Sequence, residues 1–145
     1  MLKIKIHYFS PDAPRLKITD KGDWIDLYCA ETMELHAGDF TLVPLGVSMQ
    51  LPAGYEARTA PRSSTFRRWG ILQANSVGVI DSDYARSDNE GHIFLRMTND
   101  SREGKGLRIA AGTAFAQGIF LPFGITVDDE ASAVRNGGFG STTRA

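Results

Sequence analysis

The chain has 145 residues and a formal net charge of -1, with 42% hydrophobic and 23% charged residues. These values fit one globular domain with a real core, and the charge argues against a protein that mainly binds the backbone of DNA or RNA. Cys29 is the only cysteine, so no intrachain disulfide can form, and no apolar run is long enough for a membrane span; we therefore expect a cytoplasmic protein that does not associate with membranes.

The amino-terminal half of the chain predicts short strands separated by turns. Residues 31–37 include helix formers, but Gly38 ends this stretch before a stable helix could form. Pro44 lies within an apolar run and has no N–H to donate, so it requires a sheet edge or a bulge. The strands predicted here are residues 1–9, 24–29, 40–49 and 55–58.

One brief helix is predicted at residues 65–69, with Ser63 or Ser64 as its cap and Gly70 as its carboxyl-terminal stop. Strand patterns then return, separated by polar and glycine-rich connections. Many short strands at this spacing favour an all-β barrel or sandwich over an alternating βαβ sheet. The strands predicted in this half are residues 71–73, 77–80, 93–97, 107–109 and 115–121.

Residues 75–84 form the first candidate functional segment. The β-branched residues of this segment run into Asp81, Ser82 and Asp83, which have turn composition, and Tyr84 follows. This pattern predicts a hairpin with two carboxylates and an aromatic ring at its tip. A carboxylate at a strand end can accept a proton from water, and a tyrosine ring offers a flat face to a base or sugar. An ordinary polar turn is the alternative interpretation.

A second candidate segment precedes the predicted helix. Arg62 carries a rigid fork of N–H donors suited to phosphate, and Ser63 and Ser64 lie where a helix start presents unpaired backbone N–H groups. The alternative is a plain helix cap beside a solvated arginine. The segment therefore indicates phosphate binding without requiring it.

Residues 135–145 form a third candidate segment, rich in glycine and hydroxyl groups. Glycines allow the backbone to approach a phosphate closely, Arg135 supplies charge, and Phe139 could lie on a base. We expect this tail to be mobile when nothing is bound, and a disordered terminus without function is the alternative.

Metal and nucleophile motifs are absent from the sequence. His7, His36 and His92 are scattered, and neither an HExxH pattern nor CxxC pairs occur, so a zinc site built by the protein is not expected. There is also no GxSxG elbow and no Walker loop. The three candidate segments together supply a base, an aromatic ring, arginines and hydroxyls.

Five segments, taken in order, resemble the signature motifs of the dUTPases, in a form similar to that of phage and some bacterial members. The resemblance spans nearly the whole chain, and five ordered matches are far more specific than one. It implies an all-β, jelly-roll-like β-barrel with one short helix, formed by residues 1–134, and a flexible active-site lid at residues 135–145. It also implies a homotrimer with shared active sites. The matching segments are residues 24–30, 61–64, 75–84, 112–120 and 135–142.

The resemblance implies hydrolysis of dUTP to dUMP and pyrophosphate. Asp81 matches the carboxylate that orients and deprotonates the water attacking the α-phosphate. Mg²⁺ would be chelated by the triphosphate itself, which explains why no carboxylate cluster is needed. Asp26 matches an aspartate that reaches the Mg²⁺ region through water.

The resemblance also assigns residues that bind the substrate. Tyr84 matches the ring that packs under the deoxyribose and excludes a ribose 2′-hydroxyl. Asn75, with the backbone around Gly78, matches the edge that reads uracil, and Phe139 matches the ring that stacks on it. The phosphate-binding segments contribute Arg62, Ser63, Ser64, Gln117, Arg135, Gly140, Ser141 and Thr142.

The chain departs from the family pattern at three places. Residues 23–25 stand before Asp26 where the family usually has a glycine, and Thr113, Ala114 and Phe115 replace a charged residue and an arginine. Residues 85–90 lengthen the loop after the third motif, and we expect this loop to make an additional contact.

Two alternative functions remain open at this point. A dCTP deaminase shares the barrel and the Arg-Ser-Ser stretch, but Arg96 stands where the resemblance would place its catalytic glutamate, which argues against deamination. A non-catalytic nucleotide sensor or protein-binding module on the same fold is the other alternative, and the loop at residues 85–90 is the feature that favours it.

Overall fold

The structure, a computed structural model, describes residues 1–17 and 22–129 as an assembly of short antiparallel strands. Its elements are β1 (Lys5–Tyr8), β2 (Ile25–Tyr28), β3 (Met33–Leu35), β4 (Phe40–Pro44), β5 (Val47–Gln50), β6 (Tyr55–Pro61), α1 (Thr65–Trp69), β7 (Ile71–Gln73), β8 (Gly78–Ile80), a 3-10 helix (Ser82–Arg86), β9 (Phe94–Asn99), β10 (Leu107–Ile109) and β11 (Ala114–Pro122). The expected all-β fold with one short α-helix is confirmed.

Four sheets organise these strands. The largest has the order β2-β11-β6-β8, with β11 and β6 as its central strands, and a second sheet has the order β4-β9-β7. The pairs β1-β5 and β3-β10 complete the described part of the fold. Strands far apart in sequence are neighbours throughout, so long-range pairing sets the architecture.

The core forms where the inward faces of these strands meet. In β2, Ile25 and Leu27 are buried while Asp26 and Tyr28 remain partly exposed, as strand alternation requires. Phe115 of β11 is fully buried in the same core. Asp26 is therefore held on the outer face by two neighbours that anchor β2. The largest fully buried apolar side chains are Leu27, Val43, Val47, Ile71, Met97 and Phe115.

Helix α1 has the predicted length, but its start is stabilised differently. Ser64 occupies the cap position without a side-chain capping hydrogen bond. Instead, the hydroxyl of buried Thr65 accepts a hydrogen bond from the Arg62 N–H (3.0 Å) and donates one to the Phe115 carbonyl (2.8 Å). Gly70 ends the helix in the left-handed conformation, with φ of 68°. This arrangement ties Arg62 to the central strand of the large sheet.

Two sequence-based boundaries differ from the structure. Residues 40–49 are not one strand, because the chain turns at Gly46 (φ 71°) and separates β4 from β5. Pro44 ends β4, which is an edge strand of its sheet, as expected for a residue without an N–H. Strand β3 was not predicted from residues 31–37; it exists through its pairing with β10.

Asn99 joins three segments of the interior, which makes it a test of the fold. Its buried side chain donates hydrogen bonds to the Leu35 and Lys105 carbonyls (3.0 Å each) and accepts one from the Ser101 N–H (3.0 Å). We expect Asn99→Ala to lower the free energy of unfolding by about 2–4 kcal/mol, because it leaves backbone groups without partners. Chemical denaturation measures this. Asp100→Ala, at the exposed neighbouring residue, is the control, and equal losses in both variants would contradict this role.

No helix among the described residues is long and apolar enough to cross a membrane.

Candidate active site

Three of the predicted site residues lie together where β2, β11 and β6 pair. Gln117 of β11 is opposite Asp26 of β2 on one side and Ala60 of β6 on the other. Its side-chain amide donates to the Pro61 carbonyl at 3.1 Å. Arg62 follows β6 directly, and its Nε lies 2.9 Å from Asp26 Oδ1. Asp26, Arg62 and Gln117 thus form one cluster, although they are distant in sequence.

The guanidinium of Arg62 is held in place but remains accessible. Asp26 binds Nε, and Nη1 donates a longer hydrogen bond of 3.4 Å to the Ala114 carbonyl. The Arg62 and Asp26 side chains are 32% and 22% exposed. The guanidinium therefore keeps N–H donors that can face an anion, while Asp26 fixes its orientation. Ser63 beside it is exposed and Ser64 is half-buried.

A second group of predicted residues lies on the turn between β7 and β8 and on β8 itself. The Gln73 carbonyl accepts from the Ser76 N–H at 3.0 Å, and Ser76 has a positive φ of 63°, which closes a tight turn around exposed Asn75. Gly78 follows in β8, opposite Thr59 of β6. A Cβ at Gly78 would overlap Thr59 Oγ1, so only glycine lets β8 approach β6 this closely.

Asp81 is exposed at the end of β8, where a catalytic base would be accessible. The predicted hairpin is wrong: β8 pairs with β6 and not with a strand that follows Asp81. The Asp81 carbonyl instead accepts from the Tyr84 N–H at 3.1 Å and starts the 3-10 helix at Ser82–Arg86. Asp81 itself keeps an extended backbone, with φ of -76° and ψ of 154°. A rigid strand on one side and a helical turn on the other define its position.

Tyr84 is 7% exposed, and its hydroxyl is fixed from two sides. It donates to the His92 carbonyl at 2.7 Å and accepts from Asn89 Nδ2 at 2.9 Å. Asn89 Oδ1 in turn accepts from the Ser87 hydroxyl (2.9 Å) and the Gly91 N–H (3.1 Å). The lengthened loop at residues 85–90 therefore folds back on Tyr84 and holds it. The Asn-Glu-Gly turn signal at residues 89–91 was the one sequence feature that could have indicated this.

The five predicted site residues of the tail lie outside the described residues: Arg135, Phe139, Gly140, Ser141 and Thr142.

Neither Cys29 nor His92 offers a reactive group. Burial raises the pKa of the Cys29 thiol, which donates to the Ala110 carbonyl at 3.2 Å. Burial lowers the pKa of His92, whose Nε2 accepts from the Gly46 N–H at 3.0 Å and whose ring stacks on Phe9. Within residues 1–17 and 22–129, no three His, Cys, Asp or Glu side chains lie close enough to hold a metal ion.

Asp81 and Arg62 lie at opposite ends of the β6–β8 pairing, whereas Gly78 is opposite Thr59, toward the Arg62 end. Ile80, next to Asp81, is opposite Ala57, whereas Arg62 lies beyond the far end of β6. At the rise of an extended strand, Asp81 and Arg62 are about 20 Å apart.

Comparisons with known proteins identify the family of this chain. The dUTPase family model matches residues 21–143. The SPbeta prophage-derived deoxyuridine 5′-triphosphate nucleotidohydrolase YosS of Bacillus subtilis is 45% identical over 109 residues, which is 74% of this chain and 76% of YosS. The crystal structure of dUTPase from Streptococcus mutans superposes with a TM-score of 0.76 at 35% identity, covering 87% of this chain and 98% of that one.

A phage protein shares the fold at lower identity. A point mutant of the dUTPase from phage phi11 of S. aureus, which coordinates a structural Mg(II) ion, has a TM-score of 0.74 at 16% identity, covering 91% of this chain and 98% of that one. The family match extends over most of the chain, and the relatives above 30% identity cover more than two thirds of it. The jelly-roll-like fold class expected from the sequence is confirmed, and the chain belongs to the dUTPase family.

Proposed function

We propose that this protein, a dUTP diphosphatase by family, hydrolyses dUTP to dUMP and pyrophosphate with Asp81 as the catalytic base. Membership of the dUTPase family supports the class of enzyme. The observation that carries the mechanism is the exposed carboxylate of Asp81 at the end of β8, on the same short segment as the predicted uracil-reading residues Asn75 and Gly78.

Asp81 accepts a proton from the attacking water. The water oxygen forms a bond to the α-phosphorus, the bond from that phosphorus to the bridging oxygen breaks, and pyrophosphate leaves with the electron pair. A positioned base of this kind contributes typically about 10²–10⁴-fold to the rate. The 3-10 turn held by the Tyr84 N–H supports this role, because it fixes the backbone that carries the Asp81 side chain at the end of β8.

The cluster of Arg62, Asp26 and Gln117 binds the phosphates. Arg62 faces the negative charge that moves onto the leaving pyrophosphate, and its ion pair with Asp26 (2.9 Å) pre-orients it. Arg135, Gly140, Ser141 and Thr142 of the tail add donors on the same anion. This assignment follows the motif match and the donor chemistry of each side chain.

The described residues fit a magnesium ion that arrives bound to the nucleotide. The protein offers no three-carboxylate cage among these residues, and a triphosphate supplies oxygen ligands of its own. Asp26, 22% exposed in its side chain, would contact the hydrated ion through water. Mg²⁺ neutralises charge on the phosphates when bound, and Arg62 and Gln117 hold the phosphates in line for attack.

A homotrimer with shared active sites completes this proposal. Asp81 and Arg62 of one chain are about 20 Å apart along β6, a separation that favours a base and a phosphate cluster supplied to one site by different chains. The tail, as a lid formed by residues 135–145 on a domain of residues 1–134, closes over that site. Light scattering measures the mass of the assembly, and a homotrimer should have three times the mass of one chain.

Selection of a deoxynucleotide is assigned to Tyr84. Because its hydroxyl is bound to the His92 carbonyl and to Asn89, the ring cannot withdraw, and a ribose 2′-hydroxyl packed against it would meet a fixed surface. In this role the loop at residues 85–90 holds Tyr84 in place, and it needs no protein partner to do so.

Product analysis tests the proposed function directly. Incubated with Mg²⁺, the protein should release pyrophosphate from dUTP much faster than from UTP or dCTP, and should release no ammonia from dCTP. Arg96, the residue in place of a deaminase glutamate, lies on the exposed face of β9 with its guanidinium over Phe40. Ammonia from dCTP, or no pyrophosphate from dUTP, would reject the assignment.

Removal of the metal is a separate prediction. With a chelator such as EDTA in excess over Mg²⁺, we expect the rate of dUTP hydrolysis to fall at least about tenfold, because charge on the phosphates is then neutralised by side chains alone. The midpoint of thermal unfolding should not change, since the described residues form no metal site of their own. If the rate of dUTP hydrolysis is the same with and without excess EDTA, Mg²⁺ has no part in the reaction.

A further inference from the structure

A buried polar side chain lies beneath the turn that joins β7 to β8. Gln73, the last residue of β7, is 4% exposed, and its neighbour Thr59 on β6 is fully buried. The Gln73 amide donates one hydrogen bond to Thr59 Oγ1 (3.0 Å) and another to Asn75 Oδ1 (3.1 Å). Among the described residues, Gln73 Oε1 is buried without a hydrogen-bond partner. An unpaired buried acceptor lowers the free energy of unfolding, so its presence calls for a physical explanation.

These hydrogen bonds determine how the Asn75 amide is turned. Oδ1 is held inward by Gln73, so Nδ2 faces outward from the turn. If Asn75 turned alone, its NH₂ group would face the Gln73 NH₂ group and the hydrogen bond between them would be lost. The reverse orientation keeps that bond only if both amides turn together, with Gln73 Oε1 facing Thr59 and Asn75 Nδ2. That state would bury the two N–H groups of Gln73 in the place now occupied by its unpaired oxygen. Two unpaired donors cost more than one unpaired acceptor, so the outward NH₂ is preferred.

The backbone of β8 prevents Gln73 from moving aside. Gly78 is opposite Thr59 in the strand pairing, and a Cβ on it would lie 2.8 Å from Gln73 Nε2. The glutamine amide is therefore confined between β6 and β8. Asn75 is exposed directly above it, at the segment assigned to base recognition.

The orientation of Asn75 matters because uracil and cytosine differ at the 4-position of the ring, as well as at N3. Uracil presents a carbonyl acceptor at the position where cytosine presents an amino donor. We propose that Gln73 is a positioning residue that fixes the Asn75 NH₂ group toward the base and so favours uracil over cytosine. This inference rests on the proposed function, in which Asn75 contacts the base.

Gln73→Met tests this inference, since it removes the amide and keeps the side-chain length. The ratio of kcat/KM for dUTP over dCTP should fall about tenfold, mainly through a higher KM for dUTP, because Asn75 then presents either group. A merely structural defect would lower the rates with both nucleotides and leave their ratio unchanged. Leu72→Met is the matched control: Leu72 precedes Gln73 but is 41% exposed, and this variant should keep the ratio.

A double-mutant cycle shows whether Gln73 acts through Asn75. In an Asn75→Ala background, Gln73→Met should not change the ratio further, because the group that it orients is gone. An additional loss in the double variant would mean that Gln73 affects discrimination by another route, and the inference would be overturned.

A measurement on the unaltered protein covers the case in which Gln73→Met does not fold. The side-chain amide resonances of Asn75 should shift on addition of dUMP and much less on addition of dCMP; equal shifts overturn the inference. Different results would reject the proposed hydrolysis of dUTP and the positioning role of Gln73. If the unaltered protein releases no pyrophosphate from dUTP, the proposed function is wrong. If it does, and Gln73→Met keeps the discrimination ratio, only the positioning role is wrong.

Discussion

Asp81→Asn is expected to lower the turnover of dUTP by about 10²–10⁴-fold while leaving nucleotide binding nearly unchanged. Asparagine keeps the shape of the side chain but cannot accept the proton of the attacking water. The substitution keeps the backbone carbonyl of Asp81, which holds the 3-10 turn, so this turn should remain in place. Single-turnover hydrolysis of dUTP measures the chemical step, and titration with a non-hydrolysable dUTP analogue measures binding.

Asp83→Asn is the matched control for this prediction. Asp83 lies in the first turn of the same 3-10 helix and carries the same charge, so it reproduces the electrostatic change without removing the proposed base. Its turnover should stay within a few fold of the unaltered protein. If Asp81→Asn hydrolyses dUTP as fast as the parent, or if both variants lose the same activity, Asp81 is not the base.

Elements with strong local signals were predictable from the sequence. Strands β7 and β10 have the predicted bounds, and α1 ends at Gly70, because alternation and a left-handed glycine are encoded within a few residues. Strand β3 was missed for the opposite reason: a short segment of weak propensity becomes a strand only by pairing with β10, which is distant in the sequence.

The same distinction explains what was missed at the site. The segment around Asp81 has the composition of a turn, but whether it becomes a hairpin or a 3-10 helix depends on Tyr84, whose buried hydroxyl binds the His92 carbonyl beyond the loop. The ion pair between Arg62 and Asp26 depends on how β2, β11 and β6 align, which no short motif encodes. Gln73 could not be found either, because one polar residue in a strand pattern carries no sign of its partners.

The residues proposed for base recognition and for catalysis therefore share one support. The turn at Asn75, strand β8 and Asp81 form a continuous segment whose position depends on the close approach of Gly78 to Thr59. A displacement of β8 would move the proposed base-reading group and the proposed catalytic carboxylate together. This coupling is a physical reason for the sequence to retain buried polar groups at Gln73 and Thr59, where apolar side chains would pack without an unpaired acceptor.

Deletion of residues 135–145 is expected to reduce kcat/KM for dUTP by at least about 100-fold, the effect of losing donors that face developing charge. The deleted segment contains Arg135, the aromatic ring of Phe139, and the hydroxyls of Ser141 and Thr142. The fold should survive, because the buried apolar side chains of the described residues lie between Ile25 and Ala116. Steady-state hydrolysis and thermal unfolding of the truncated chain measure the two effects.

Point variants in the tail separate its two proposed roles. Phe139→Ala should raise KM for dUTP by roughly tenfold or more, as expected for the loss of base stacking worth about 1–3 kcal/mol. Arg135→Ala should lower kcat more than it raises KM, because its charge is needed most when pyrophosphate departs.

A truncated protein that hydrolyses dUTP at the parent rate would show that the Asp81 segment and the Arg62 cluster suffice, and that the tail is not a lid.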